Sequence, residues 1–282
     1  MTQARAIGDG LLWQGRGHPP AGFNGQLPSL IAALGSSSFY RALANSLATI
    51  AGVEHLHVFL MEDSQPAVIA SISHDGGRLA DQQFDNYMRR GLWRHDTTLQ
   101  QLGAVDESAP LLLWTDAAGV PSRELREHWD QEQFAERLLL YKREGSVGVA
   151  LTAVRVGKDR PFGAEQIDRL AAASEIVLPM LARNVSLCRQ RDDVLAALTS
   201  LSVIETVMRQ APVHLPPREQ QTGARLLYGL SAGSIAVDLG VSVETVTSFR
   251  KRLYQRLSIG CHRELLLWYL RAYNALEDAS RA

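Results

Sequence analysis

Thr245, Thr247, Ser248, Arg250, Lys251 and Arg252 put short hydroxyls and long cations within eight residues of one another. If the segment is helical, Glu244, Thr247, Ser248 and Lys251 recur at i, i+3, i+4 and i+7 and share an outward face. Val243, Val246, Leu253 and Leu257 then turn toward a core. Arg250, Lys251, Arg252, Arg256 and Arg263 are five cations with no acid between Thr245 and Arg263. Long cationic side chains beside short polar ones suit phosphate anchoring next to base-edge contact, so the expected partner is a double-stranded DNA operator. On this reading Thr247, Ser248 and Lys251 face the bases, and Thr245, Arg250 and Arg252 hold phosphates. The plainer alternative is a solvated basic helix face.

The elements around these residues favour the first reading. Ser231 is placed to cap a helix whose apolar face is Ile235, Ala236 and Leu239. Gly240 can end that helix in the left-handed conformation, and Ser242 can cap a second helix over about residues 243–257 after a very short connection. Two capped helices joined by a tight turn form a helix-turn-helix, whose second helix enters the major groove.

Residues 215–266 closely resemble the C-terminal DNA-binding domain of LuxR-type transcriptional regulators. The resemblance rests on Pro217-Arg218-Glu219, Gly229-Leu230-Ser231, Ile235-Ala236, Leu239-Gly240-Val241-Ser242, Thr245-Val246, Arg250, Leu257 and Arg263-Glu264-Leu265. Four positions depart from the family pattern: Thr247 stands where the family has Lys, Phe249 where it has His, and Arg256 and Ser258 where it has the Lys and Gly of Lys-Leu-Gly. The resemblance implies an all-α, four-helix DNA-binding domain and a regulator with a quorum-sensing-like sensory domain; Thr247 implies a different operator.

Of 282 residues 46% are hydrophobic, enough for two cores. The net charge of −1 is unevenly spread: residues 215–282 carry 9 Lys/Arg against 6 Asp/Glu, and the first 214 carry 20 against 24. The attraction for an anionic polymer therefore sits where the motif is. Two cysteines, Cys188 and Cys261, form no disulfide framework. With no signal-peptide core and no run read as crossing a membrane, the expected location is the cytoplasm.

The expected fold class is α+β: residues 1–30 an irregular lead-in packing through Leu12, Trp13 and Phe23, residues 31–185 an α/β sensory sandwich of GAF/PAS-like type, residues 186–213 a helical linker for dimerisation, and residues 214–282 the helix-turn-helix domain. Within the sandwich, residues 39–50 read as an amphipathic helix, and residues 53–61 and 66–73 as strands joined by a turn at Asp63-Ser64-Gln65. Residues 81–94 and 122–141 read as helical, and residues 145–156 as the strongest strand, followed by a turn over 157–161. Residues 164–208 read as helix, kinked or broken at Pro179 and interrupted at residues 189–193, with an apolar face that wants a partner, most simply a second copy.

Tyr87 precedes Asp96 by nine residues with Trp93 between them. In autoinducer-binding relatives a Tyr and an Asp at this spacing hold the acyl-homoserine lactone, so the resemblance implies a ligand contact here. Gln83 and Thr97 replace the Trp and Pro expected beside them, which points to a different small apolar ligand. Phe59, Tyr87, Trp93, Asp96 and Trp114 are the candidate ligand residues, with Trp129, Phe134 and Tyr141 as further walls. Asp96→Asn is then expected to weaken a ligand response and spare the fold. The alternatives are that Tyr87 and Trp93 are core aromatics with Asp96 a helix cap, and that the domain binds a protein and no ligand. His55 and His57 share one strand face and read as half-exposed rather than as metal ligands. No catalytic constellation, metal site or cofactor is expected.

Overall fold

The computed structural model describes residues 3–7, 10–14, 20, 22–62, 65–102, 110–120, 122–144, 147–157 and 160–281. It divides into two units, Met1–Cys188 and Arg189–Ala282.

Unit 1 is built on a seven-stranded antiparallel sheet in the order β1-β2-β5-β6-β7-β3-β4. Its strands are β1 (Gln3–Ile7), β2 (Gly10–Gln14), β3 (His55–Glu62), β4 (Gln65–Ser73), β5 (Leu111–Asp116), β6 (Phe134–Glu144) and β7 (Val147–Val156). Pro66, which has no N–H to donate, sits on the edge strand β4, where a missing ladder bond costs least. Side chains alternate across the sheet and build two cores. Leu56, Val58 and Leu60 of β3, with Leu138 and Leu140 of β6, pack against α1 (Leu27–Ala33), α2 (Ser38–Ala51) and α6 (Ala164–Thr199). Phe59, Leu139 and Ala150 face the other way, toward α3 (Leu79–Arg89), a 3-10 turn (Leu92–His95), α4 (Thr97–Leu102) and α5 (Arg123–Gln131). Unit 1 is thus three layers, with helices on both faces of the sheet.

Several expectations are corrected. The lead-in contains a hairpin, β1 and β2, that extends the sheet edge by pairing β2 with β5. Phe23 is fully buried, while the side chains of Leu12 and Trp13 lie outside the described residues. The helix expected over 122–141 ends at Gln131, and Gln133, at φ 57°, reverses the chain into β6. His55 and His57 are buried rather than half-exposed, each with Nδ1 3.1 Å from a β4 serine hydroxyl, Ser73 and Ser71. Asp63, Ser64, Gly145, Ser146, Lys158 and Asp159, from the expected turns and strand start, lie outside the described residues.

α6 runs unbroken through Pro179 and through residues 189–193, where interruptions were expected. By length and composition it could cross a membrane, but Leu170, Val177, Leu178 and Leu181 are core side chains of unit 1.

Unit 2 contains the end of α6, α7 (Leu201–Gln210), α8 (Pro217–Tyr228), α9 (Ala232–Leu239), α10 (Val243–Leu257) and α11 (His262–Arg281). The segment expected to be a linker is partly core here. Ala197, Ile204 and Met208 pack with Leu253, Leu265 and Tyr269, and the Tyr269 hydroxyl donates to the Ala197 carbonyl at 2.6 Å.

Candidate nucleic-acid interface and a buried polar cavity

In unit 2 the caps close as their residue types predict. Ser231 Oγ accepts from the Ser234 N–H at 3.1 Å and opens α9. Gly240, at φ 65°, ends it in the left-handed region, and Val241 N–H returns to the Ala236 carbonyl at 2.9 Å. Ser242 Oγ then accepts from the Thr245 N–H at 3.2 Å and starts α10. Ile235, Ala236 and Val246 form the small core that sets the two helices against each other. α8 supports them closely: a Cβ on Gly223 would lie 2.7 Å from Met208 Cε and 2.8 Å from Leu253 Cδ2. Arg225 of α8 donates to Glu205 of α7 at 2.7 Å and also bonds Asp238 of α9.

On this frame Thr247, Ser248, Arg250 and Lys251 are exposed, and Thr245 is half-buried at the start of α10. Among the described residues no ion pair holds Arg250 or Lys251. Arg252 differs from the other predicted contacts. Its guanidinium lies 5.0 Å from the Phe249 ring centroid, and its Nε is 4.0 Å from Oε1 of the buried Glu219. Arg256 Nε donates to the other Glu219 oxygen at 3.1 Å. Glu219 therefore pins α10 to α8, and Arg252 serves the scaffold as well as any outside partner.

In unit 1 the focus is Asp96, which stands between the 3-10 turn and α4 and is 1% exposed. It accepts from the Leu99 N–H as the cap of α4 and from the Tyr87 hydroxyl at 2.9 Å. Arg137 of β6 completes the set: Nη2 donates to Oδ1 at 3.0 Å and Nη1 donates to Oδ2. Burial alone would raise the Asp96 carboxyl, but the Arg137 guanidinium outweighs it and holds the group below the usual carboxylate range. Burial, then the negative charge of Asp96, lifts the Tyr87 hydroxyl well above its ordinary value. Tyr87 and Asp96 thus meet each other, and Asp96 is a helix cap, as one of the two readings of the spacing has it.

Beside this pair is a cavity of about 40 Å³. Phe59, Tyr87, Trp129 and Phe134 line it, as expected of them, together with Gln83 and Arg137. His57 and His128 also reach it. Burial, then the positive charges of His55, Arg137 and His128, pushes His57 down to about 3, so its ring is neutral. Burial likewise lowers His128, against the opposing pull of Glu132. Among the described residues, Gln83 Oε1, His128 Nδ1 and Arg137 Nε are buried without a hydrogen-bond partner. Buried polar atoms are rarely left so, and the three residues that carry these all line the cavity.

Trp114 does not belong to this group. Leu113 and Thr115 face the cavity side, so alternation along β5 sends Trp114 to the opposite core with α1, α2 and α6. Trp93 packs at the margin of the cavity-side core with Arg94 stacked 4.6 Å over its ring, and neither Trp93 nor Tyr141 lines the cavity. Arg137 is hidden in the sequence because residues 122–141 read as helix; its signal is a cation directly before the apolar run Leu138-Leu139-Leu140-Tyr141. His128 had no signal of its own. Gln83 lies one helical turn before Tyr87 on α3, which places both on one face.

No family model matches the chain. A curated protein of Aeromonas salmonicida, described as an HTH-type transcriptional regulator in the exeN 3′ region, is 30% identical over 185 residues, covering 59% of this chain and 90% of that protein. Among solved structures, the ligand-binding domain of VqsR from Pseudomonas aeruginosa is 19% identical, with a TM-score of 0.44, covering 60% of this chain and 99% of that one. Escherichia coli SdiA is 12% identical with a TM-score of 0.44, covering 87% and 95%. The N-acylhomoserine lactone-dependent LuxR-family factor CepR2 of Burkholderia cenocepacia is 14% identical with a TM-score of 0.44, covering 60% and 94%. By the identity and coverage of the curated relative, and with α9 and α10 capped by Ser231, Gly240 and Ser242, the chain belongs to the HTH-type transcriptional regulators.

Proposed function

We propose that this regulator binds a double-stranded DNA operator through α10 and that a small molecule held in unit 1 controls the binding. The observation that carries the DNA half is the capped α9–α10 pair, which leaves Thr247, Ser248 and Lys251 outward for base edges. Thr245 and Arg250 serve as phosphate anchors, and Arg252 shares that task with its contacts to Glu219 and Phe249. The observation that carries the sensory half is the cavity with three buried polar atoms awaiting partners. We place residues 31–185 as a GAF/PAS-like sensory sandwich, and residues 214–282 as a four-helix DNA-binding domain of a cytoplasmic homodimer. Val194, Leu195 and Leu198 support the dimer: they are exposed apolar side chains at i, i+1 and i+4 on α6.

The test selects operator DNA from random duplexes with the full chain, then measures its affinity with and without the small molecules that native mass spectrometry finds on protein made in its own host. A selected sequence without two related half-sites, or an affinity indifferent to every such molecule, counts against the reading. One observation favours a sensory unit that binds a protein and no ligand. Arg137, Tyr87 and Leu99 already occupy Asp96, so a ligand amide finds no free acceptor there.

A further inference from the structure

We propose that the unit 1 cavity takes an uncharged, single-ring aromatic molecule whose head group carries one hydrogen-bond donor and one acceptor, read by Gln83 and Arg137. This rests on the reading of unit 1 as a small-molecule sensor and names the class of molecule it senses.

The head group follows from the buried atoms left without partners. Gln83 Oε1 can only accept and Arg137 Nε–H can only donate, and both residues line the cavity while 2% and 8% exposed. An occupant that satisfies both must present a donor toward α3 and an acceptor toward β6. A planar amide does this with two neighbouring atoms. His128 Nδ1, 4.0 Å from Glu132 Oε1, is a third buried position able to donate or accept according to its tautomer.

The charge follows from the Asp96–Arg137 pair. Arg137 is already neutralised by Asp96 through two bonds. A ligand anion would be buried beside that carboxylate, and a ligand cation beside that guanidinium, with no opposite charge left to compensate either. A neutral head avoids both penalties.

The ring follows from the walls and the size. The His57 and Phe84 rings stack at 4.8 Å, Phe84 and Tyr87 at 5.7 Å, and Phe134 meets Trp129 edge-on at 6.0 Å. Flat walls favour a flat guest, stacked or edge-on. The volume of about 40 Å³ is smaller than the roughly 150 Å³ that takes a benzene ring, so one ring enters only as wall side chains move outward. A long acyl chain demands a far larger opening.

Calorimetric titration of the full-length protein with benzamide, toluene, benzoate and N-octanoyl homoserine lactone tests this. Benzamide should bind saturably, at least tenfold more tightly than toluene, and benzoate more weakly than benzamide. Gln83→Leu should erase the advantage of benzamide over toluene while leaving toluene binding in place. A crystal of the wild-type protein with benzamide gives a reading independent of how that variant packs, the amide lying against Gln83 Oε1 and Arg137 Nε. Equal binding of benzamide and toluene, an unaltered ratio in Gln83→Leu, or only ordered water in the cavity overturns the proposal. Binding of the octanoyl lactone without benzamide overturns the head-group and size assignment and leaves the sensor reading standing. No binding by any of the four, with operator affinity unchanged by all of them, removes both.

Discussion

Arg137 and Asp96 stand 41 residues apart in sequence and meet as a buried fork, with Nη2 donating to Oδ1 at 3.0 Å and Nη1 donating to Oδ2. With Tyr87 and the Leu99 N–H, this leaves the carboxylate four donors and no free acceptor position. The pair ties β6 to the start of α4 and to α3 across the cavity-side core.

The fork reverses the expectation that Asp96→Asn spares the fold. The change leaves the Arg137 guanidinium buried without a counter-charge, at a cost of roughly 3–5 kcal/mol. Urea unfolding of the full chain, followed by tryptophan fluorescence, should show the unit 1 transition at markedly lower urea. An unmoved midpoint would mean that Asp96 and Arg137 are not paired in solution.

The same pair sets an acid limit. The folded-state pKa of Asp96 lies below its ordinary value, so the unfolded chain binds the proton more readily. The stabilisation is complete above the unfolded value of about 3.9 and is lost as pH falls through the lower folded value. Stability of the wild type relative to Asp96→Asn should therefore be flat from pH 7 to about 5 and shrink below about 4. A difference that grows on acidification contradicts the direction of the shift.

Ser258 closes α10 at φ 55°, a left-handed position that costs a side chain roughly 1 kcal/mol and glycine very little. Ser258→Gly should raise the stability of unit 2 by up to about 1 kcal/mol, offset in part by the greater freedom of glycine in the unfolded chain. Calorimetry of the unit 2 transition checks it, and a lower melting temperature would show that Ser258 makes a compensating interaction.

Within α10, Arg250→Ala should weaken binding to all DNA sequences and reduce the slope of log K against log salt by about one. Arg252→Ala should change that slope less, because its guanidinium is shared with Glu219 and Phe249. Lys251→Ala should relax preference at one operator position. Salt-dependent gel-shift titrations separate the three, and equal slopes for Arg250→Ala and Arg252→Ala would count against the scaffold role of Arg252.

Leu198 and Leu201 should behave differently when changed to Glu. Leu198 is 41% exposed on α6, so a charge there should favour monomers in sedimentation and leave unit 2 folded. Leu201 packs against the unit 2 core, and a charge there should lower the unfolding midpoint itself. Unchanged association of Leu198→Glu at tens of micromolar would remove the apolar stripe from the dimer proposal.

What the sequence determined by itself is the part of the protein governed by local rules. Ser231, Gly240 and Ser242 act on backbone groups within three or four residues of themselves, and the periodicity of Val246 and Leu253 declares which side of α10 is buried, so the helix-turn-helix was legible from one stretch of chain. The fold of unit 1 was legible only where the pattern was strong, as in β3, β4 and β7. β1 and β2 were hidden in a Gly/Pro-rich lead-in because β2 depends on pairing with the distant β5, and β1 on pairing with β2. β6 was hidden behind α5 because Gln133, an ordinary residue, turns the chain without a glycine or proline to announce it. The cavity was decided by tertiary structure. Sheet register faces Arg137 toward Asp96, strand alternation sends Trp114 to the other core, and packing converges Gln83, His57 and His128 on one space. These are relationships between elements far apart in the chain, and no local propensity encodes them.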